Sequence, residues 1–139
     1  MSIKEIQNEI VDEFSMFDDW MQRYEFMIDL GKSLPLINEH YKTDDNIIKG
    51  CQSKVWVHAE MIDDKVVFTA DSDAILTKGI IAILIRAFSN QKASDILDAD
   101  TEFIEEIGLK EHLSPTRANG LVSMIKKIKM YALAFEAKK

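Results

Sequence analysis

The chain has 139 residues, 47% of them apolar and 29% charged, and a formal net charge of −7. That balance predicts one globular domain over residues 1–139, large enough to bury a core without staples, and excludes a disordered chain. The acidic surplus argues against a nucleic-acid partner, and the longest apolar run, residues 79–85, is too short to cross a bilayer.

Ser2 with Glu5 three positions later is a capping box that opens a first helix. Along it Ile3, Ile6, Ile10, Phe14 and Phe17 recur at helical spacing. Asp18 and Asp19 cap a second helix whose apolar stripe is Trp20, Tyr24, Met27 and Ile28, and Gly31 is expected to end it. Residues 32–46, with Pro35, read as a connecting loop.

From Asn46 the character turns to strand. Residues 47–49 are a short extended piece, Gly50-Cys51-Gln52-Ser53 a bend, and 54–62 a strand. Asp63-Asp64 is a tight turn that leads into a return strand over 65–70, so the sheet is an antiparallel meander of about three strands. Residues 74–88 form a helix that is apolar on most faces and hence buried, with Asp71, Ser72 or Asp73 as its cap. Two acid-rich stretches follow, 93–97 and 100–107, the second closed by Gly108. Ser114-Pro115 then starts a long helix with Leu121, Met124, Ile125, Ile128, Ala132 and Phe135 on one stripe. Helices covering one small antiparallel sheet make the class α+β.

Charge is uneven along the chain: residues 1–32 carry eight acids and three bases, whereas 112–139 carry six bases and Glu136 as the single acid. Solvated helix faces account for this, and Lys126, Lys127 and Lys129 also suit the later turns of a helix. His40, His58 and His112 are scattered, without the spacing of a metal site, so no protein-held metal is expected. No GxSxG elbow and no glycine-rich phosphate loop is present.

That leaves Cys51, the chain's one cysteine. A free cysteine is commonly a small buried hydrophobe. Here, however, Gly50 removes a side chain beside the sulfur, and Gln52 and Ser53 are polar turn formers, which favours a thiol on a loop where a reacting group can approach. The thiolate is the nucleophile, and a free thiol with a pKa of about 8.5 is only partly ionised at neutral pH. Lys49 and Lys54 flank it, either lowering that pKa or standing as solvated surface lysines. With no second cysteine, Cys51 cannot resolve a disulfide within the chain and must discharge to another molecule. A lone loop thiol therefore suits relay better than redox cycling. The opening MSIKEIQNEI has no apolar h-region, and one cysteine makes no internal disulfide, so a cytoplasmic location is expected.

GCQSKVWV at 50–57, ADSDA followed by KGIIAIL over 70–84, and GLKEHLSPTRANGLVSM at 108–124 resemble, in order and setting, the SufE family. The resemblance runs from the second helix to the last one. It implies an α+β sandwich shared with the U-type iron–sulfur scaffolds, whose cluster-holding cysteines are not matched here. It implies further that Cys51 takes persulfide sulfur from a SufS-type cysteine desulfurase, enhances that enzyme, and passes the sulfur to a SufBCD-type scaffold. No cofactor would be bound by this chain, since pyridoxal phosphate belongs to the desulfurase, and the protein would act as a monomer or weak homodimer. Gly50, Gln52, Ser53, Asp73 and Arg117 match motif positions and are implied to shape the loop or a partner contact. Arg117 is a candidate for docking or thiolate stabilisation, or for a surface salt bridge. Val57 and Thr116 depart from the commoner residues without removing a functional group. The alternatives are a CsdE-type partner of another desulfurase, and a non-catalytic desulfurase activator in which Cys51 is incidental.

Overall fold

The computed structural model describes residues 1–49 and 53–138. The chain opens with α1 (Ile3–Ser15), closed at its N-terminus by the expected capping box between Ser2 and Glu5. Its inward stripe buries Ile3, Ile10 and Phe14, with Ile6 half-buried beside them. Asp19 caps α2 (Trp20–Lys32) by accepting from the Gln22 N–H. Gly31 does not end this helix. It lies inside α2 and is buried, because it faces α3 (Ile75–Phe88) where the two backbones meet at Gly79.

The sheet is a single antiparallel hairpin of β1 (Val55–Ile62) and β2 (Lys65–Ser72). Asp63 and Asp64 turn it with φ of 51° and 68°, a left-handed pair whose twist matches that of the flanking strands. Strand alternation places Val55, Val57, Ala59, Val66, Phe68 and Ala70 on the buried face.

The expected third strand is reduced to a bridge between Ile47 and Trp56. The pairing is nonetheless antiparallel, with Ile48 N–H donating to Val55 O at 2.8 Å and Val57 N–H to Asn46 O at 2.9 Å. The free edge of β2 is covered in turn: Ile37 N–H donates to Ala70 O, and Val66 N–H to Gln91 O. Both edges are thus occupied by irregular backbone, which removes an open template for strand addition.

α3 is the centre of the molecule and packs against α1, α2, β2 and the long α7. From Gly79 to Phe88 every residue except Arg86 is buried, as its nearly all-apolar sequence requires. Between α3 and α7 run three short helices, α4 (Ala93–Asp98), α5 (Glu102–Glu106) and α6 (Leu109–His112). Gly108, at φ 78°, supplies the left-handed residue that joins the last two.

Ser114 caps α7 (Pro115–Ala137), with proline in its first turn as expected. Leu121, Met124, Ile128 and Ala132 are its buried stripe, while Ile125 and Phe135 pack half-buried against the core. Lys129 is not on a solvated face. Its ammonium is half-buried and donates to the carbonyls of Ile96, Leu97 and Ala99 at the end of α4. No described helix is long and apolar enough to cross a membrane.

Candidate functional site

Gly50, Cys51 and Gln52 lie outside the described residues, and the two flanks of the Cys51 segment are described. On the N-terminal side, Ile48 is buried and fixed by its main-chain bond to Val55. Lys49 follows it and is exposed. On the C-terminal side, Ser53 is half-buried and Lys54 exposed, Ser53 tied to the first turn of α3 and Lys54 to the junction that precedes it. Ser53 Oγ and Thr77 Oγ1 are 3.1 Å apart and share a hydrogen bond. Lys54 N–H donates to Asp73 Oδ1 at 3.0 Å, and Asp73 N–H donates back to Lys54 O at 3.2 Å.

These contacts reassign Asp73. It was expected as a possible cap of α3, yet its carboxylate serves the backbone at residue 54, and the α3 N-cap is Ala74. Ser72 takes the local role instead: its Oγ accepts from Ala74 N–H at 3.2 Å. The sequence placed Ser53 and Asp73 in one group by resemblance, and the fold brings both to the same place, where the chain re-enters β1. Thr77 joins them there, 4% exposed, and was not singled out from the sequence. A hydroxyl at the head of the mostly apolar ILTKGIIAIL was the available signal, because a buried hydroxyl needs a partner.

Alongside the strand pair runs a charged network. Asp71 faces Trp56 in the hairpin register, and its Oδ2 accepts from Lys42 Nζ at 2.9 Å while Oδ1 lies 3.4 Å from Lys78 Nζ. Lys42 also reaches Glu39 at 2.9 Å and sits 5.2 Å from the centre of the Trp56 ring. Burial pushes the Asp71 carboxyl up, but the Lys42 bond, the Ser72 N–H and the lysine charges outweigh it and hold the group below its ordinary range. The bonds to Asp71 and Glu39 correspondingly raise the Lys42 ammonium.

The histidines are occupied structurally. The His58 ring stacks on Tyr41 at 3.7 Å, and that of His112 on Trp20 at 4.0 Å. His40 is exposed and meets Tyr41 edge-on. Among the described residues no group of three or more His, Cys, Asp and Glu side chains could hold a metal ion.

Arg117 stands in the first turn of α7, its N–H bonded to the Ser114 cap. Its Nε is buried and, among the described residues, has no hydrogen-bond partner. It makes no ion pair with a described residue, so the surface salt bridge considered from the sequence does not form there. Lys127 closes the opposite side of the N-terminal flank by donating to Asp45 O at 2.8 Å. An open groove of about 390 Å³ lies between that flank and α7, with Asp45, Ile48, Lys49, Lys126 and Met130 in its wall.

Comparison with known proteins agrees with the motif order. A family model described as "SufE: Fe-S metabolism associated domain" matches residues 8–132. An uncharacterized SufE-like protein of Rhizobium meliloti is 42% identical over 130 residues, covering 90% of this chain and 93% of its own. SufE-like protein 1, chloroplastic/mitochondrial, of Arabidopsis thaliana is 38% identical over 94% of this chain, which corresponds to 35% of that longer protein. In fold, the chain is similar to the solution structure of a hypothetical protein from Thermus thermophilus. The TM-score is 0.78 over 93% of this chain and 94% of that one, at 17% identity. Family match and identity over nearly the whole length show that the chain belongs to the SufE family, whose domain is associated with iron–sulfur metabolism.

Proposed function

We propose that this chain is a sulfur acceptor and relay for iron–sulfur cluster assembly, with Cys51 as the acceptor thiol. The Cys51 thiolate attacks the outer sulfur of a persulfide carried by a SufS-type cysteine desulfurase. One S–S bond forms at Cys51 and the donor's S–S bond breaks, and the donor cysteine leaves as a thiolate that takes up a proton. The transferred sulfur keeps its oxidation level, so the step needs no external oxidant or reductant. Unloading the donor frees the desulfurase for its next turnover, which is how an acceptor enhances that enzyme. The Cys51 persulfide then passes its sulfur to a scaffold complex of the SufBCD kind. Pyridoxal chemistry stays with the desulfurase, and the relay chain requires no cofactor of its own. A reducing cytoplasm, which keeps a lone thiol free, suits this role.

The observation that carries the reading is the placement of a SufE-family chain's one cysteine between two anchored flanks. Ile48 is bonded to Val55 on one side, and Ser53 and Lys54 are bonded to Thr77 and Asp73 on the other. Such a frame suits a nucleophile that must meet a partner's sulfur in line.

Intact-protein mass spectrometry after incubation with a SufS-type desulfurase, pyridoxal phosphate and cysteine tests it. The expected result is a reductant-reversible increment of one sulfur on the peptide containing Cys51, abolished in Cys51→Ser together with the stimulation of turnover. A Cys51→Ser chain that still stimulates the desulfurase would overturn the relay in favour of an activator.

A further inference from the structure

We infer that Thr77 is a positioning residue for sulfur acceptance: its buried hydroxyl, bonded to Ser53, fixes where the chain enters β1 after Cys51. The inference rests on the relay reading above. Thr77 lies in the first turn of α3, is 4% exposed, and has apolar or glycine neighbours along most of its helix. Valine would fill the same volume there without burying a hydroxyl, and an unpaired hydroxyl in that setting is unfavourable. A capping role does not explain it. The N–H that a residue at this helix position would reach back to is that of Ala74, and Ser72 Oγ already accepts from it. The partner of the Thr77 hydroxyl is Ser53 Oγ, at 3.1 Å and 24 positions away in sequence.

This bond acts with the one beside it. Lys54 is held by Asp73, and Ser53 by Thr77. Asp73 lies just before the α3 N-cap and Thr77 in the first turn of α3, so consecutive residues of the incoming chain are tied to the junction and to the helix itself. One tie would let the chain pivot; the second sets its direction. The Thr77 tie rests on the most buried of the described helices, a rigid base on which a displacement of the flank is costly. In-line attack on a sulfur–sulfur bond is sensitive to the placement of the nucleophile, so the hydroxyl is expected to affect the rate of loading rather than the affinity for the donor.

The test compares Thr77→Val, which keeps the shape and loses the hydroxyl, with Thr77→Ser, which keeps the hydroxyl and loses a methyl. Sulfur loading of Cys51 is followed at increasing concentrations of the full chain with a fixed amount of desulfurase. Thr77→Val is expected to lower the maximal rate about fivefold, the size of one hydrogen bond's net contribution, with the half-saturating concentration unchanged. Thr77→Ser should retain the wild-type rate. Loading of Thr77→Val at the wild-type rate, or an equal loss in Thr77→Ser, overturns the proposal.

A second readout needs no desulfurase. Amide exchange at Lys54, measured by NMR, should quicken about fivefold in Thr77→Val and stay unchanged in Thr77→Ser. Unchanged exchange in Thr77→Val overturns the proposal even if no desulfurase ever loads the chain, which separates its failure from that of the relay. Should Thr77→Val not fold, Ser53→Ala removes the same bond from the half-buried side. It must then quicken Lys54 exchange, and no change there counts against the role of Thr77.

Discussion

Gly79 leaves room for the main chain of Met27: a β-carbon on Gly79 would stand 2.4 Å from the Met27 carbonyl oxygen. The obstacle is backbone, so it cannot swing aside. Gly31 lies at the same crossing, where a β-carbon would meet the Gly79 nitrogen at 3.0 Å. Alanine normally favours a helix over glycine by up to about 1 kcal/mol, but here overpacking wins. Gly79→Ala is expected to destabilise the fold by about 2–3 kcal/mol, and Gly31→Ala by less, in urea unfolding. A stabilised Gly79→Ala would show that α2 and α3 separate without cost.

Acid should weaken the protein through identifiable carboxylates. The hydrogen bond from Arg86 holds the Glu13 carboxyl below its ordinary 4.5, and Asp71 is likewise held below its ordinary 3.8, burial being outweighed by its lysine and N–H partners. A depressed folded pKa contributes stability that is present above the unfolded value and is lost as pH falls through the folded one. The melting temperature is therefore expected to fall progressively below about pH 4.5. Arg86→Met should lower the plateau at neutral pH and flatten the acid limb, because Glu13 then titrates alike in both states. An acid limb unchanged in Arg86→Met would remove Glu13 from the account.

Lys129 ties α7 to the end of α4 by donating to Ile96 O at 2.5 Å and Ala99 O at 2.6 Å. Methionine preserves the stem and removes the donor, leaving partly buried carbonyls short of a partner. Lys129→Met should cost about 1–3 kcal/mol in urea unfolding. Lys126→Met, at an exposed position of the same helix, should cost almost nothing. Equal effects of the two would mean that the carbonyls find water freely.

Asp73→Ala should release the Lys54 amide, quickening its exchange and slowing sulfur loading, each by about threefold to tenfold. Asp73→Asn keeps an oxygen at the Oδ1 position and should behave close to wild type. Loss of both readouts in Asp73→Asn would point to the charge of Asp73 rather than to its acceptor geometry.

Local signals were legible in the sequence because their causes are local. The Ser2–Glu5 box, the Asp19 and Ser114 caps and the Asp63-Asp64 turn each involve residues within a few positions of one another, and the structure reproduces them. Readings failed where the deciding partner lies far along the chain. Gly31 looked like a helix stop, but α3 uses its missing side chain for a close helix approach. Asp73 looked like a cap, but its acceptor goes to residue 54. Lys129 looked solvated, yet α4 supplies carbonyls more than thirty positions away. The short extended piece before Cys51 was counted toward a sheet of about three strands, and among the described residues it pairs as a bridge at 46–48. Of the site, Ser53 and Asp73 were legible by motif, and Thr77 was hidden in an apolar run that reads simply as core.

Main-chain bonds between 46–48 and 55–57 hold the base of the segment that carries the cysteine. Such bonds are indifferent to which side chains lie between them, so on the relay reading the residues beside Cys51, Gly50 and Gln52, can be revised for a different sulfur donor without renegotiating the core. A library randomised at Gly50 and Gln52 should yield variants that melt alike and differ in which desulfurase loads them.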